Sequence, residues 1–191
     1  FSGVRYPERA CAVERNCACC NQYQVISHFY LPTEYHCMLL GSPFTSMIPL
    51  MQMFEMGGVY ISANRGAVEI IQAFESIGMD VSNIQFIDLV SSGILGGTDV
   101  PYSNIHFVDS PIMLESVLLR TLYILRTTSS ARNFVFLDSV NALAIYNEDR
   151  ILAEYLHTFI NTFRQREILS VVLNVPDQTP PLVLSNLDLY C

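Results

Sequence analysis

The chain has 191 residues, 51% of them hydrophobic and 15% charged, which excludes extended disorder and leaves ample length for one core. Its formal net charge of −8 disfavours nucleic acid and anionic membrane as partners. All ten basic residues are arginines, so any site chemistry that requires lysine is out of reach.

Residues 1–34 read as an irregular N-terminal segment with a peripheral strand, Gln24 to Leu31, which Pro32 ends. Cys11, Cys17, Cys19 and Cys20 crowd this segment, and His28, His36 and Cys37 follow. Two readings stand. One is a zinc or redox-responsive centre, which the spacing of Cys17, Cys19 and Cys20 approaches only roughly. The other is a set of ordinary free thiols. Six cysteines are too few for a disulfide scaffold, so a reduced, cytoplasmic protein is expected. Phe1 in place of a methionine suggests a fragment or a processed form.

Residues 35–191 read as one α/β domain. Tyr35 to Leu40 is a strand candidate, Gly41-Ser42-Pro43 a turn, and Phe44 to Met56 a Met-rich helix that Gly57-Gly58 closes. Val59 to Ser62 is a short strand. Gly66 leads into a helix with Val68, Ile71, Phe74 and Ile77 at helical spacing, and Gly78 ends it. Ile84 to Val90 is the next strand, then a glycine-containing loop from Ser91 to Ser103. Asn83 to Asp88 and Asn104 to Asp109 echo each other, as two strands of one alternation would. Ser110-Pro111 has the form of a cap and first helical residue, opening a largely buried helix to about Arg126.

Phe134 to Leu137 is a four-residue apolar run that ends on Asp138 and Ser139. Such a run suits a strand buried on both faces of a parallel sheet, with Asp138 at its carboxyl end. Asn147-Glu148-Asp149 caps an amphipathic helix whose apolar face is Ile151, Leu152, Tyr155, Leu156, Phe159, Ile160 and Phe163. Ile168 to Val175 is a buried strand, and Leu182 to Leu189 a final one. Alternating strands and helices predict a three-layer sandwich around a mostly parallel central sheet. No apolar run reaches the length of a membrane-spanning helix.

The order Met38 to Pro43, Val59 to Asn64, Ile77 to Asp80 with Asn83 to Asp88, and Phe134 to Phe163 resembles the RecA/KaiC-like branch of the P-loop ATPase fold. More narrowly, it is similar to short, mostly archaeal KaiC-like proteins with a degenerate phosphate loop. The resemblance implies a phosphate-loop site at Gly41 to Ser46, with Ser42, Thr45 and Ser46 as its hydroxyls. It makes Asp138 the magnesium-side carboxylate and Ser139 its hydroxyl neighbour, and it puts Asn64 or Ala63 where active members carry a water-polarising glutamate. With neither that glutamate nor a loop lysine, the resemblance implies a non-catalytic domain, a regulatory or scaffold protein with a protein partner or homo-oligomer. The alternative it leaves is an ATP- and magnesium-binding or weakly active ATPase that uses Asp138.

Overall fold

The computed structural model describes residues 24–27, 56–91, 101–128, 130 and 132–189. Six strands form one sheet: β1 (Gln24–Ser27), β2 (Gly57–Ser62), β3 (Ile84–Asp88), β4 (Ile105–Phe107), β5 (Asn133–Asp138) and β6 (Leu169–Asn174). Their spatial order is β1-β6-β5-β2-β3-β4. The strands from β6 to β4 run parallel, and β1 lies antiparallel on β6. From β2 the chain steps outward through β3 to β4, crosses back to the far side of β2 as β5, and continues to β6. The winding therefore reverses between β2 and β5, and the crevice outside the carboxyl ends of strands at such a reversal is where open α/β sheets hold ligands.

Helices cover both faces. α1 (Ala67–Ser76) packs on the face that carries Tyr60, Phe86, Phe134 and Phe136. The opposite face, with Val59, Ile61, Val135 and Leu137, is covered by α2 (Leu114–Thr127), α3 (Val140–Ala144), α4 (Asp149–Arg164) and α5 (Pro181–Asp188). This double burial explains why β2 and β5 read as continuous apolar runs rather than as alternating ones. α4 seals its side with Leu152, Leu156, Phe159 and Phe163, each fully buried and each contributing about 1.5–3 kcal/mol. α1 ends where Gly78, at φ 76°, lets the Met79 N–H return to the Phe74 carbonyl (3.0 Å). The expected α/β class with a mostly parallel sheet is what the structure has.

Several local expectations are corrected. Gly57 and Gly58 are the first two residues of β2. A Cβ on Gly58 would stand 2.4 Å from the Phe134 ring, so close approach to β5 demands glycine there. The third helix candidate starts at Leu114, one turn after Ser110-Pro111. The Pro111 carbonyl accepts from the Asn147 side chain (3.2 Å), and the Met113 N–H closes a separate turn on Ser110 (3.0 Å). Asn147 is thus a tie between segments rather than a cap for α4. α2 is also less buried than its composition suggested, since Leu119 and Tyr123 lie exposed, and so does Ile151 of α4.

The last segment is a helix, α5, not the expected strand. Pro181 fits the first helical turn, and Val183 and Leu187, four residues apart, are both fully buried as α5 packs on α4. A strand would have buried Ser185 along with them. The short helix α3, absent from the sequence reading, starts directly after Asp138. The candidate strand Tyr35 to Leu40 and helix Phe44 to Met56 lie outside the described residues, Met56 excepted.

Candidate functional site

The site is built from the carboxyl ends of β2, β3 and β5. Parallel pairing sets Ser62 opposite Asp88 on one side and opposite Asp138 on the other. Alternation gives all three the same face as Tyr60, Phe86 and Phe136, the face that α1 covers. The result is a row, Asp88, Ser62, Asp138, across the sheet, with exposures of 0%, 0% and 2%. Buried carboxylates are uncommon and require partners, so the partners define what the row can do.

Asp88 is committed to the backbone. Its Oδ2 accepts from the Ala67 N–H (2.7 Å) and the Ser91 hydroxyl (2.7 Å), and its Oδ1 from the N–H groups of Val90 (2.8 Å) and Ser91 (2.9 Å). Gly66, the residue before α1, has no side chain to cap the helix. Asp88 does so from the neighbouring strand and supplies the negative charge that the start of a helix favours. A Cβ at Gly66 would meet the Ser91 hydroxyl at 2.7 Å, so a side chain there would push that hydroxyl from its place on Asp88. The helix N-terminus at the crevice, an anion site in many α/β proteins, is therefore filled by the protein's own carboxylate.

Asp138 has a different environment. The Tyr60 hydroxyl, two residues back on β2, donates to its Oδ2 at 2.7 Å. Tyr60 is itself held by rings, stacked on Phe136 (5.0 Å between centroids, 14° between planes) and edge-on to Phe74 (6.0 Å). Burial pushes the Asp138 carboxyl above the usual carboxylate range, while the Tyr60 hydrogen bond and the charge of Arg65 pull it back in part. Burial likewise raises the Tyr60 phenol well above its usual range, and the charge of Asp138 adds to this. The phenol thus stays a donor and the carboxyl an acceptor. The Ala63 N–H donates to the Asp138 carbonyl (2.6 Å), fixing the ends of β2 and β5 together.

The remaining groups are structural or exposed. Ser139 caps α3, its hydroxyl accepting from the Ala142 N–H (3.4 Å). The Ser62 hydroxyl donates to the Arg65 carbonyl. Arg65 pairs with Glu69 at 3.8 Å on a partly exposed surface, a contact worth little in water. Asn64 is exposed at the rim, and an amide cannot act as a general base.

Of the residues expected at the site, the structure brings Asn64, Asp138 and Ser139 to one crevice. Gly41, Ser42, Thr45 and Ser46 lie outside the described residues, as do Cys11, Cys17, Cys19 and Cys20. Among the described residues no group of three or more His, Cys, Asp or Glu side chains could hold a metal ion, and no helix is long and apolar enough to cross a membrane. The sequence reading missed Tyr60, Ser62 and Asp88. Asp88 was within reach: Phe86-Ile87-Asp88 ends a strand on a carboxylate just as Phe136-Leu137-Asp138 does. Tyr60 carried no such signal, because only strand order makes it a diagonal neighbour of Asp138.

Asp138 is poorly placed to hold a magnesium ion, since one of its oxygens is held by Tyr60 and the carboxyl is nearly sealed from solvent. No family model matches the chain, and no curated protein does. Among solved structures it is similar to a KaiC-like protein of the hyperthermophilic archaeon Pyrococcus horikoshii OT3, with a TM-score of 0.48 and 15% identity over 68% of this chain and 54% of that one. The chain spans about half the length of that protein. Strand order and register by themselves make the chain α/β.

Proposed function

We propose that this chain is a KaiC-like domain of the RecA branch of the P-loop ATPase fold that has lost nucleotide hydrolysis, and that it works in the cytoplasm as a regulatory or scaffold module through contacts with other proteins. In this reading Gly41, Ser42, Thr45, Ser46, Asn64, Asp138 and Ser139 are the remnant of a nucleotide site. The observation that carries it is the engagement of both buried carboxylates at the reversal of the sheet, Asp88 by four donors and Asp138 by Tyr60. Phosphoryl transfer requires charge placed around the γ-phosphate and an oriented nucleophile. The chain has no lysine to supply the first, and Asn64 is no base for the second.

One feature favours a second reading, nucleotide binding with weak turnover. The charge of Arg65 reaches Asp138, so a cation does stand at the crevice. Phosphate release and calorimetric titration with Mg-ATP on the full chain decide between the two. The pseudo-ATPase reading expects no turnover above buffer. Micromolar affinity or hydrolysis that disappears in Asp138→Ala replaces it with the second.

A further inference from the structure

The sheet ends at β4, whose outer edge pairs with no strand among the described residues. The Phe86 N–H donates to the Asn104 carbonyl (2.8 Å), and the Val108 N–H to the Asp88 carbonyl (3.0 Å). Positions 104, 106 and 108 therefore bond toward β3, and strand alternation turns the N–H and C=O groups of Ile105 and Phe107 outward. A row of outward backbone groups is a template for another extended chain.

The helix beside this edge completes a groove. α2 lies over β2 and β3, which leaves a cavity of about 520 Å³ along β4, lined in part by Phe107, Asp109, Met113, Leu119, Arg120 and Tyr123. A smaller polar cavity continues from Tyr123 to His106 and Gln85. Leu119 and Tyr123, four residues apart on α2, are 67% and 65% exposed. Arg120 stands between them in sequence and forms no ion pair among the described residues. Backbone donors and acceptors along one wall select an extended occupant, because a helix has used its own. The apolar pair asks for an aliphatic or aromatic side chain, and the Arg120 guanidinium, which forms no ion pair with Asp109 of the same lining, for a carboxylate.

We propose that the β4 edge and the exposed flank of α2 form a docking groove for an extended peptide segment of a partner protein. The segment adds as a further strand, rests an apolar side chain on Leu119 and Tyr123, and places an acidic one on Arg120. This names the partner class for the scaffold reading above and rests on it.

The test uses the full chain and octapeptides selected on it from a random displayed library, the enriched peptide then being titrated by fluorescence polarisation. The expected peptide alternates apolar residues around one Asp or Glu. Leu119→Arg and Tyr123→Glu each weaken it at least tenfold with circular dichroism and melting unchanged. Arg120→Glu weakens it too, and exchanging the peptide's acid for lysine restores binding. N-methylation of the peptide backbone abolishes binding at alternate positions only. The proposal is overturned by the absence of any enriched peptide, by N-methylation effects without parity, or by binding indifferent to the three substitutions. A dimer that Leu119→Arg dissociates and the peptide does not displace gives the face to a second copy and equally overturns it. Phosphate release separates the two readings: failed docking without turnover removes the groove alone, whereas turnover removes the pseudo-ATPase assignment.

Discussion

Replacing Tyr60 with Phe deletes one oxygen from a fully buried ring and leaves its stacking on Phe136 in place. What is lost is the 2.7 Å hydrogen bond to Asp138 Oδ2. Hydrogen bonds to charged groups contribute roughly 1.5–3 kcal/mol, so Tyr60→Phe should cost about 2 kcal/mol at neutral pH. The cost depends on pH with a definite sign. Burial raises the Asp138 carboxyl above its ordinary 3.8, so between that value and the folded one the native state binds more protons than the unfolded. Asp138 therefore contributes stability that is fully present below pH 3.8 and lost as pH rises through its folded value. Removing the phenol takes away a group that favours the charged form, so the penalty of Tyr60→Phe should be largest at neutral pH and should shrink as Asp138 protonates. Urea unfolding followed by circular dichroism at several pH values, with Asp138→Asn as the second arm of a double-mutant cycle, measures this. A coupling below about 0.5 kcal/mol, or a penalty that is flat from acid to neutral pH, would refute the reasoning.

Three further outcomes test other parts of the account. Asp88→Ala leaves the Ala67, Val90 and Ser91 N–H groups without their acceptor and should cost about 3–5 kcal/mol, with Asp88→Asn costing less, because its oxygen still serves two of them; chemical denaturation reads both. Gly58→Ala drives a methyl to 2.4 Å from the Phe134 ring and 2.5 Å from its carbonyl oxygen, and overpacking should lower stability by about 1–3 kcal/mol, visible as a fall in Tm. On α5, Leu187→Ala should cost about 2–5 kcal/mol, whereas Leu189→Ala, at a position 76% exposed, should stay within about 0.5 kcal/mol. Similar losses at both would contradict the helix.

The elements with a strong local signal were readable from the chain. The apolar face of α4 repeats at helical spacing, Gly78 marks the end of α1, and the Phe134–Leu137 run can hardly be anything but a buried strand. Local signals failed where two answers share one pattern. Leu182 to Leu189 is apolar enough for either a strand or a helix, and the open flank of α4 decided for the helix by accepting Val183 and Leu187. Ser110-Pro111 has the form of a helix start, yet the Pro111 carbonyl accepts from the distant Asn147 and the helix begins a turn later, at Leu114.

The same division runs through the site. Sequence alone determined that Asp138 ends a buried strand and that lysine chemistry is absent, because both follow from residue identity and short-range pattern. Only the tertiary structure decided what Asp138 and Asp88 are for. Inserting β5 beside β2 brings Tyr60, 78 residues away, into hydrogen-bonding range of Asp138. Setting β3 on the other side of β2 carries Asp88 to the start of α1. Partners of buried charges are set by strand order, and strand order is a long-range property that no local stretch of sequence encodes.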